Sequence, residues 1–429
     1  MECTVPVEVR LATDHADVGS LERTISEALV EVGVRLWGEV VDRLEQALPV
    51  PAGCTACGGT MKANGRARRR LVTLAGEVEL RRRRYRCTSC GSEVVPLDAA
   101  LGLEPRTAHT LGVHERGLWL VTEMSYQKAV DTAAELRRWP IGRGELHRSG
   151  GRGGRRARSG PGGRDRDGPG RPSRSADATA APRRDGLRSA PTQTMVHDRA
   201  SGTELEVKIG LVFDGTRQIG RNRRVLTGRT LDAGTESPTA FAERFTALCT
   251  RLGVYEADRI CFVSDGAAAI RWIRERAFPS AIELLDWYHL VEALRRAIGD
   301  ERSDRLETAL AVAAPGDAGR LAELIAGWAF EEVGSDLERA NKLAAVWGYV
   351  MNNRRAIENY AIVPLASSGP MEKAVDIVVA RRFKARGMSW FRRGVSALVR
   401  LRLLRLNGTW SHYWSERFGA ALRPWPSSA

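Results

Sequence analysis

Apolar positions at helical spacing mark the first element of the chain. Leu21, Ile25, Leu29, Val32, Leu36, Val40 and Leu44 predict a helix over residues 20–48, with Ser20 placed to cap it and Pro49 to stop it. The stripe reads as core packing, with pairing to a second subunit as the alternative. A hairpin is predicted from Arg70 to Arg86, apolar at Leu71, Val72, Leu74, Val78, Leu80 and Tyr85. His109 to Glu123 and Ser125 to Arg138 read as helices, and a turn near Trp139-Pro140-Ile141-Gly142 leads into a short helical run, Arg143 to Arg148. Helix, glycine turn, helix is the outline of a helix-turn-helix. The pattern of the second helix fails almost as soon as it begins, so the motif is read as partial.

Alternation and short apolar runs return from Met195. Leu205 to Phe213 reads as a strand, Asp214-Gly215 as a turn and Arg224 to Thr230 as the start of another strand. Pro238 to Leu252 reads as a helix, Arg259 to Val263 as a buried strand, and Ala281 to Leu285 as a short apolar run. From Trp287 to about Tyr360 the pattern is helical, with breaks near Pro315-Gly316 and Val333-Gly334. Met371 to Arg386 and Phe391 to Leu406 follow as helices. Strands, a helix, another strand, a long helical insertion and a last helix suggest a ribonuclease-H-like α/β core with an α-helical insertion at about 287–365. The fold class is therefore multidomain α+β and α/β.

Residues 149–194 break the pattern. They hold 11 Arg and 4 Asp, a net +7, with Leu187 the one large apolar residue. That is half of the net charge of +14 carried by all 429 residues. Such a stretch buries too little to fold and is expected to be disordered. It reads either as a basic arm gripping phosphates or as about 46 residues of out-of-frame translation between two compensating frameshifts, because it starts and stops abruptly inside a helix-turn-helix. The charge and the pI near 10.0 point to a polyanionic partner such as nucleic acid. No apolar run approaches a membrane span and no secretory signal is visible, so a cytoplasmic, nucleoid-associated protein with reduced thiols is expected.

Seven cysteines argue against a complete disulfide framework. Four form two pairs, Cys54-Thr-Ala-Cys57 and Cys87-Thr-Ser-Cys90, each followed by glycine, Gly58 and Gly91. Two such knuckles supply four soft ligands for a tetrahedral structural Zn2+, and the intervening hairpin accounts for their separation. Two unrelated cysteine pairs are the plainer alternative. Cys3, Cys249 and Cys261 read as apolar fillers.

Three further stretches each place a carboxylate at the edge of an apolar run: Val263-Ser-Asp265-Gly266, Leu285-Asp286-Trp-Tyr-His289 and Ser368-Gly369-Pro-Met-Glu372. A strand-end aspartate and a helix-borne glutamate are what a two-metal phosphodiester site needs, because Mg2+ or Mn2+ takes hard oxygen ligands held on rigid elements. With the two cysteine knuckles, Arg386-Gly-Met-Ser-Trp390 and Leu406-Asn-Gly-Thr-Trp410, these stretches make most of the chain outside 149–194 resemble a DDE-type insertion-sequence transposase of the Kra-type group with an N-terminal zinc ribbon. The resemblance implies that Asp265 is the second metal-binding carboxylate and Glu372 the third, with Asp286 and His289 as a supporting pair. His289 taken alone reads equally well as a satisfied core histidine. The first carboxylate of the pattern falls where this chain has Pro191-Thr192-Gln193-Thr194. Asp214, which also reads as a solvated turn residue, and Asp198 are the substitutes within reach.

Residues 1–50 are then expected to form a helical region, 51–100 the zinc ribbon, 101–148 the partial helix-turn-helix, 149–194 the Arg/Gly-rich segment and 195–429 the core. The implied function is metal-dependent cleavage and transfer of DNA strands at element ends by a homo-oligomer on DNA, with terminal repeats and target DNA as partners. This copy is expected to be defective. The alternatives are a non-enzymatic DNA-binding protein or transposition inhibitor and, less fitting, a zinc-ribbon transcription regulator.

Overall fold

The structure is a computed structural model that describes residues 4–9, 11, 17–137, 140–156, 187–221, 223–363 and 369–421. The chain divides into two compact units, Met1–Arg152 with Thr409–Ala429, and Gly153–Gly408.

In the first unit, helix α1 (Val18–Ala47) starts at Asp17, whose carboxylate accepts from the Ser20 amide at 3.1 Å. Ser20 thus lies inside the first turn and is not the cap. Leu48 is extended, as a residue before proline prefers, and ends the helix. The packed face is not the predicted stripe: Val34, Trp37, Val41 and Leu44 meet Leu71, Val78, Leu80 and Leu97, so only Leu44 is shared with the stripe and Val40 stays exposed. Each fully buried side chain here stabilises by about 1.5–3 kcal/mol. Leu21, Ile25 and Leu29, in the N-terminal half, stay exposed.

Strands β1 (Met61–Thr73) and β2 (Gly76–Cys87) form a longer hairpin than the apolar pattern indicated, and β3 (Glu93–Val94) pairs with the end of β2. The pattern missed residues 61–69 because they hold one large apolar residue, Met61, among small, polar and basic ones, most of them exposed. Helix α2 (Pro96–Ala100) brings Asp98 between Arg69 and Arg82, at 3.1 and 2.5 Å. The three helices that follow are α3 (Leu111–Glu123), α4 (Tyr126–Arg137) and α5 (Arg143–Arg156). Leu146 of α5 is fully buried against Gly117 of α3, where a Cβ would come within 2.5 Å of it. A final helix, Trp410–Ala421, sets Trp410 edge-on to Trp119.

The second unit holds a five-stranded sheet made of β4 (Leu187–His197), β5 (Glu204–Phe213), β8 (Thr230–Gly234), β9 (Ile260–Ser264) and β10 (Ile282–Leu285), in the order β10-β9-β4-β5-β8. The pairs β4–β5 and β5–β8 are antiparallel, whereas β4–β9 and β9–β10 are parallel. Between β5 and β8 a two-stranded ribbon, β6 (Gly215–Gly220) with β7 (Arg223–Thr227), leaves the sheet. Helices α6 (Pro238–Arg251) and α7 (Ala268–Ala277) bury Phe241, Phe245 and Ile273 with Val212 and Phe262 of the sheet.

A helical block follows β10: α8 (Trp287–Ile298), α9 (Ser303–Ala313), α10 (Ala318–Glu332), α11 (Leu337–Asn352) and α12 (Arg354–Glu358). Asp286, Asp317 and Asp336 cap α8, α10 and α11 through their side chains. The block shares a core with Cys261, Leu284 and Leu285 of β9 and β10. Helix α13 (Gly369–Val375) runs through a π turn (Asp376–Ala380) into α14 (Arg381–Phe383), and α15 (Arg392–Leu406) packs beside it. Buried Arg402 of α15 donates to the Ile377 carbonyl and, at 3.2 Å, to that of Val378, which lie in the π turn.

The expectation for residues 149–194 needs correcting at both ends. Helix α5 continues to Arg156, so the helical run that begins at Arg143 is a full helix of 14 residues. Leu187 to Thr194 belong to β4, in the middle of the sheet. The expected disorder of residues 157–186 lies outside the described residues. Composition misjudged the ends because neighbours supply the partners: β5 pairs with β4 over its whole length. Pro191 within β4 has no amide to donate to either neighbour, an unusual choice for a central strand. Among the described residues no helix is long and apolar enough to cross a membrane.

Candidate functional site

The cysteine site forms from local structure. Each knuckle closes with the glycine amide returning to its first cysteine, Gly58 to the Cys54 carbonyl at 2.8 Å and Gly91 to that of Cys87 at 3.1 Å. Both glycines have positive φ, 72° and 74°, which a side chain would oppose. The β1–β2 hairpin then brings the knuckles together, with Cys54 and Cys90 sulfurs 3.6 Å apart and those of Cys57 and Cys87 3.5 Å apart. Two sulfurs bound to one tetrahedral zinc stand about 3.8 Å apart, so the donor set fits that ion.

The protonation of the cluster agrees. The Ser92 hydroxyl and amide hold the Cys90 thiol down to about 6, and the amides of Cys90 and Ser89 lower that of Cys87. Although the Gly59 amide favours the Cys57 thiolate, the adjoining Cys90 and Cys87 sulfurs raise the Cys57 thiol to about 12. Sulfurs this close share a proton or a cation. Cys54, Cys57, Cys87 and Cys90 would therefore hold a structural metal such as zinc, which supplies the small hairpin with a covalent-strength centre.

The acidic residues gather at one edge of the five-stranded sheet. Ser264 is in register with Leu285, so Asp265 and Asp286 leave β9 and β10 side by side, and the Asp286 amide donates to the Ser264 carbonyl at 2.7 Å. Asp265 accepts from the Ala267 amide at 2.9 Å. Gly266, at φ 81°, permits the turn, and a Cβ there would meet the Asn353 Oδ1 at 2.7 Å. Asp286 is buried; one oxygen caps α8 through the Tyr288 amide and the other lies 3.3 Å from His289 Nδ1, at an angle short of a hydrogen bond.

Charge ties Glu372 to this edge. Burial and the Asp286 carboxylate raise the Glu372 carboxyl above its ordinary range; His289 opposes the rise and Glu292 adds to it. Interaction with Asp286 raises the His289 imidazole, with burial working against it and Asp265 reinforcing it. The described carboxylates do not close into a three-ligand group within 4.8 Å of one another, as the cysteines do. Nothing in this arrangement establishes Mg2+ or Mn2+ at Asp265 and Glu372.

The remaining candidates stand apart. Continuing the parallel register Ser189↔Phe262 by three residues brings Thr192, which is buried, level with Asp265. Asp214 follows Phe213, which pairs with Arg188 near the opposite end of β4, so it leaves the other edge of the sheet. Asp198 is occupied in its own turn, accepting from the Ala200 amide and the Ser201 hydroxyl. Sequence reasoning missed the groups that brace the edge from the helical block. Tyr349 donates to the Asp265 carbonyl at 2.9 Å, Tyr360 to the Leu285 carbonyl at 2.6 Å and Asn359 to the Glu283 carbonyl at 2.8 Å. Single polar residues on otherwise ordinary helices gave no signal for these contacts.

No curated protein matches the chain. A family model described as an uncharacterised protein family, UPF0236, matches residues 194–417. The match spans just over half of the 429 residues, from β4 to the final helix, and the chain belongs to that family.

Proposed function

We propose that this chain is of the DDE-transposase lineage of bacterial insertion sequences, binds DNA at element ends, and is defective in metal-dependent strand cleavage. One observation carries the reading: Asp265 and Asp286 leave adjacent strands at one sheet edge with Glu372 charge-coupled to Asp286, and the β4–β9 register, continued three residues past its last pair, runs from Ser189 to Thr192 opposite Asp265. Three antiparallel strands followed by two parallel ones, in the order β10-β9-β4-β5-β8, support the expectation of a ribonuclease-H-like core. In a two-metal mechanism the carboxylates hold ions that activate the attacking oxygen and stabilise the leaving one. A threonine hydroxyl is a neutral donor-acceptor and leaves one charge of the set unsupplied.

The non-catalytic DNA-binding reading draws on the same threonine and on the three-helix array α3–α5. Exposed Arg143 and Arg148 lie on α5, and exposed Lys62, Arg66, Arg68 and Arg86 lie on the hairpin. The test is binding and cleavage of DNA from either side of the gene, with Mg2+ or Mn2+ present. Binding is expected, with log affinity falling by about 0.9 per neutralised phosphate for each log unit of salt, and without cleavage. Salt-insensitive or absent binding defeats the reading. Cleavage that Asp265→Ala abolishes keeps the lineage and overturns the defect.

A further inference from the structure

A second group of ligand-type side chains lies in the first unit, well removed in sequence from the cysteine knuckles. His109 precedes α3 and is held by a bridge to Val72 of β1, with the Val72 amide donating to Ala108 and the Thr110 amide to Val72. His114 is in the first turn of α3, and Glu145 is in the first turn of α5. One nitrogen from each histidine and one Glu145 oxygen lie within 4.8 Å of one another.

The hydrogen bonds indicate which nitrogens face inward. His109 Nε2 is 3.1 Å from the Pro140 carbonyl, which can only accept, so the proton sits on Nε2 and Nδ1 keeps its lone pair. That Nδ1 is buried and has no hydrogen-bond partner. His114 Nδ1 is 2.5 Å from the Ser149 hydroxyl, which in turn is 3.4 Å from Glu145 Oε1. If Ser149 donates to the carboxylate, it accepts from Nδ1–H, and the His114 lone pair is on Nε2. Nε2 stands 3.6 Å from Glu145 Oε1, too long for a hydrogen bond. Two ligand atoms on one tetrahedral ion of the zinc class stand about 3.4 Å apart. Arg148 holds the other Glu145 oxygen at 2.7 Å. Each ligand thus has the outer partner that a metal ligand ordinarily has: a carbonyl, a hydroxyl and a guanidinium.

We propose that His109, His114 and Glu145 bind a divalent transition-metal ion of the zinc class, forming a second centre independent of the cysteine cluster. A simple His114–Glu145 ion pair accounts less well for the geometry, because it leaves the buried His109 Nδ1 without a partner. The ion would fasten the start of α5 to the start of α3 and to the edge of β1. Three protein ligands leave a position for water. The inference stands on this geometry and does not depend on the transposase reading.

The test is metal content of the full chain purified with zinc, together with the absorption of the Co2+-substituted protein. Wild type is expected to hold about two equivalents. His114→Ala and His109→Ala are each expected to hold about one, with the cobalt–thiolate band of the cysteine site intact. Glu145→Gln, nearly isosteric, should weaken the second equivalent by more than about tenfold and leave the first unchanged, which guards against misfolding of the histidine variants. Cys57→Ser should remove the thiolate band and keep the non-thiolate cobalt signal. One equivalent in zinc-saturated wild type, or a second equivalent that survives in both histidine variants, overturns the proposal.

Discussion

The cysteine cluster and the acidic sheet edge are both read from short motifs, yet they are assembled in different ways. The cysteines sit at the two ends of one hairpin, so pairing β1 with β2 brings all four together. The acidic edge draws Asp265, Asp286 and Glu372 from β9, the start of α8 and α13, and its remaining position depends on β4. A centre made by one local element survives changes elsewhere in the chain. A centre gathered across a sheet is exposed to whatever happens to any of its strands.

The largest expected effect that tests this contrast is at the cysteines. Cys57→Ser, or treatment with a strong chelator, is expected to release zinc and with it the order of the hairpin ends, since binding free energy in such sites is folding free energy. Metal content and hydrogen exchange of residues 54–94 would show it; a hairpin that stays protected without metal would erase the distinction. Next, Gly266→Ala puts a side chain at a positive φ and against Asn353, and should destabilise the second unit by about 1–3 kcal/mol in denaturant unfolding. An unchanged midpoint would mean that this edge yields readily.

Thr192→Asp should add a carboxylate beside Asp265 and tighten Mn2+ binding by about tenfold, read by calorimetry. Equal affinity in the two proteins would place the site's deficiency elsewhere than at Thr192. The smallest effect concerns protonation. Because Asp286 raises the His289 imidazole, that pair's favourable contribution is present below the ordinary histidine range and fades as pH rises through the raised value. Asp286→Asn should lower the His289 midpoint seen by NMR; a midpoint that does not move would remove Asp286 as its cause.

Much of the local centre was legible in the sequence, because spacing and flanking glycines determine the knuckles almost alone. Asp265 at a strand end and Asp286 at the start of a helix were legible for the same reason, each ending an apolar run. β4 was not: Arg188, Pro191 and a shortage of large apolar residues argue locally against a strand, and only its neighbours β5 and β9 make it one. The full α5 was hidden by its glycines and arginines; its one large apolar residue, Leu146, is buried against Gly117. His109, His114 and Glu145 escaped notice because the carboxylate comes from a helix two elements away.

The π turn after Glu372 carries a consequence for length. In an α-helix each residue advances the helix by about 100° of rotation, so one residue more or fewer re-aims everything on one side of the change. A π turn takes up one extra residue within a helix, and here Arg402 occupies carbonyls that the wider turn leaves without their usual amides. Glu372 and the Phe383–Trp390 ring pair, 5.0 Å between centroids, are thereby kept in phase across a segment whose residue count does not match a plain helix. Deleting one residue from 376–380 would return the segment to a plain α-helix with Glu372 still in phase, whereas adding or removing one outside it would turn Glu372 away from the Asp286 edge by about a quarter of a revolution.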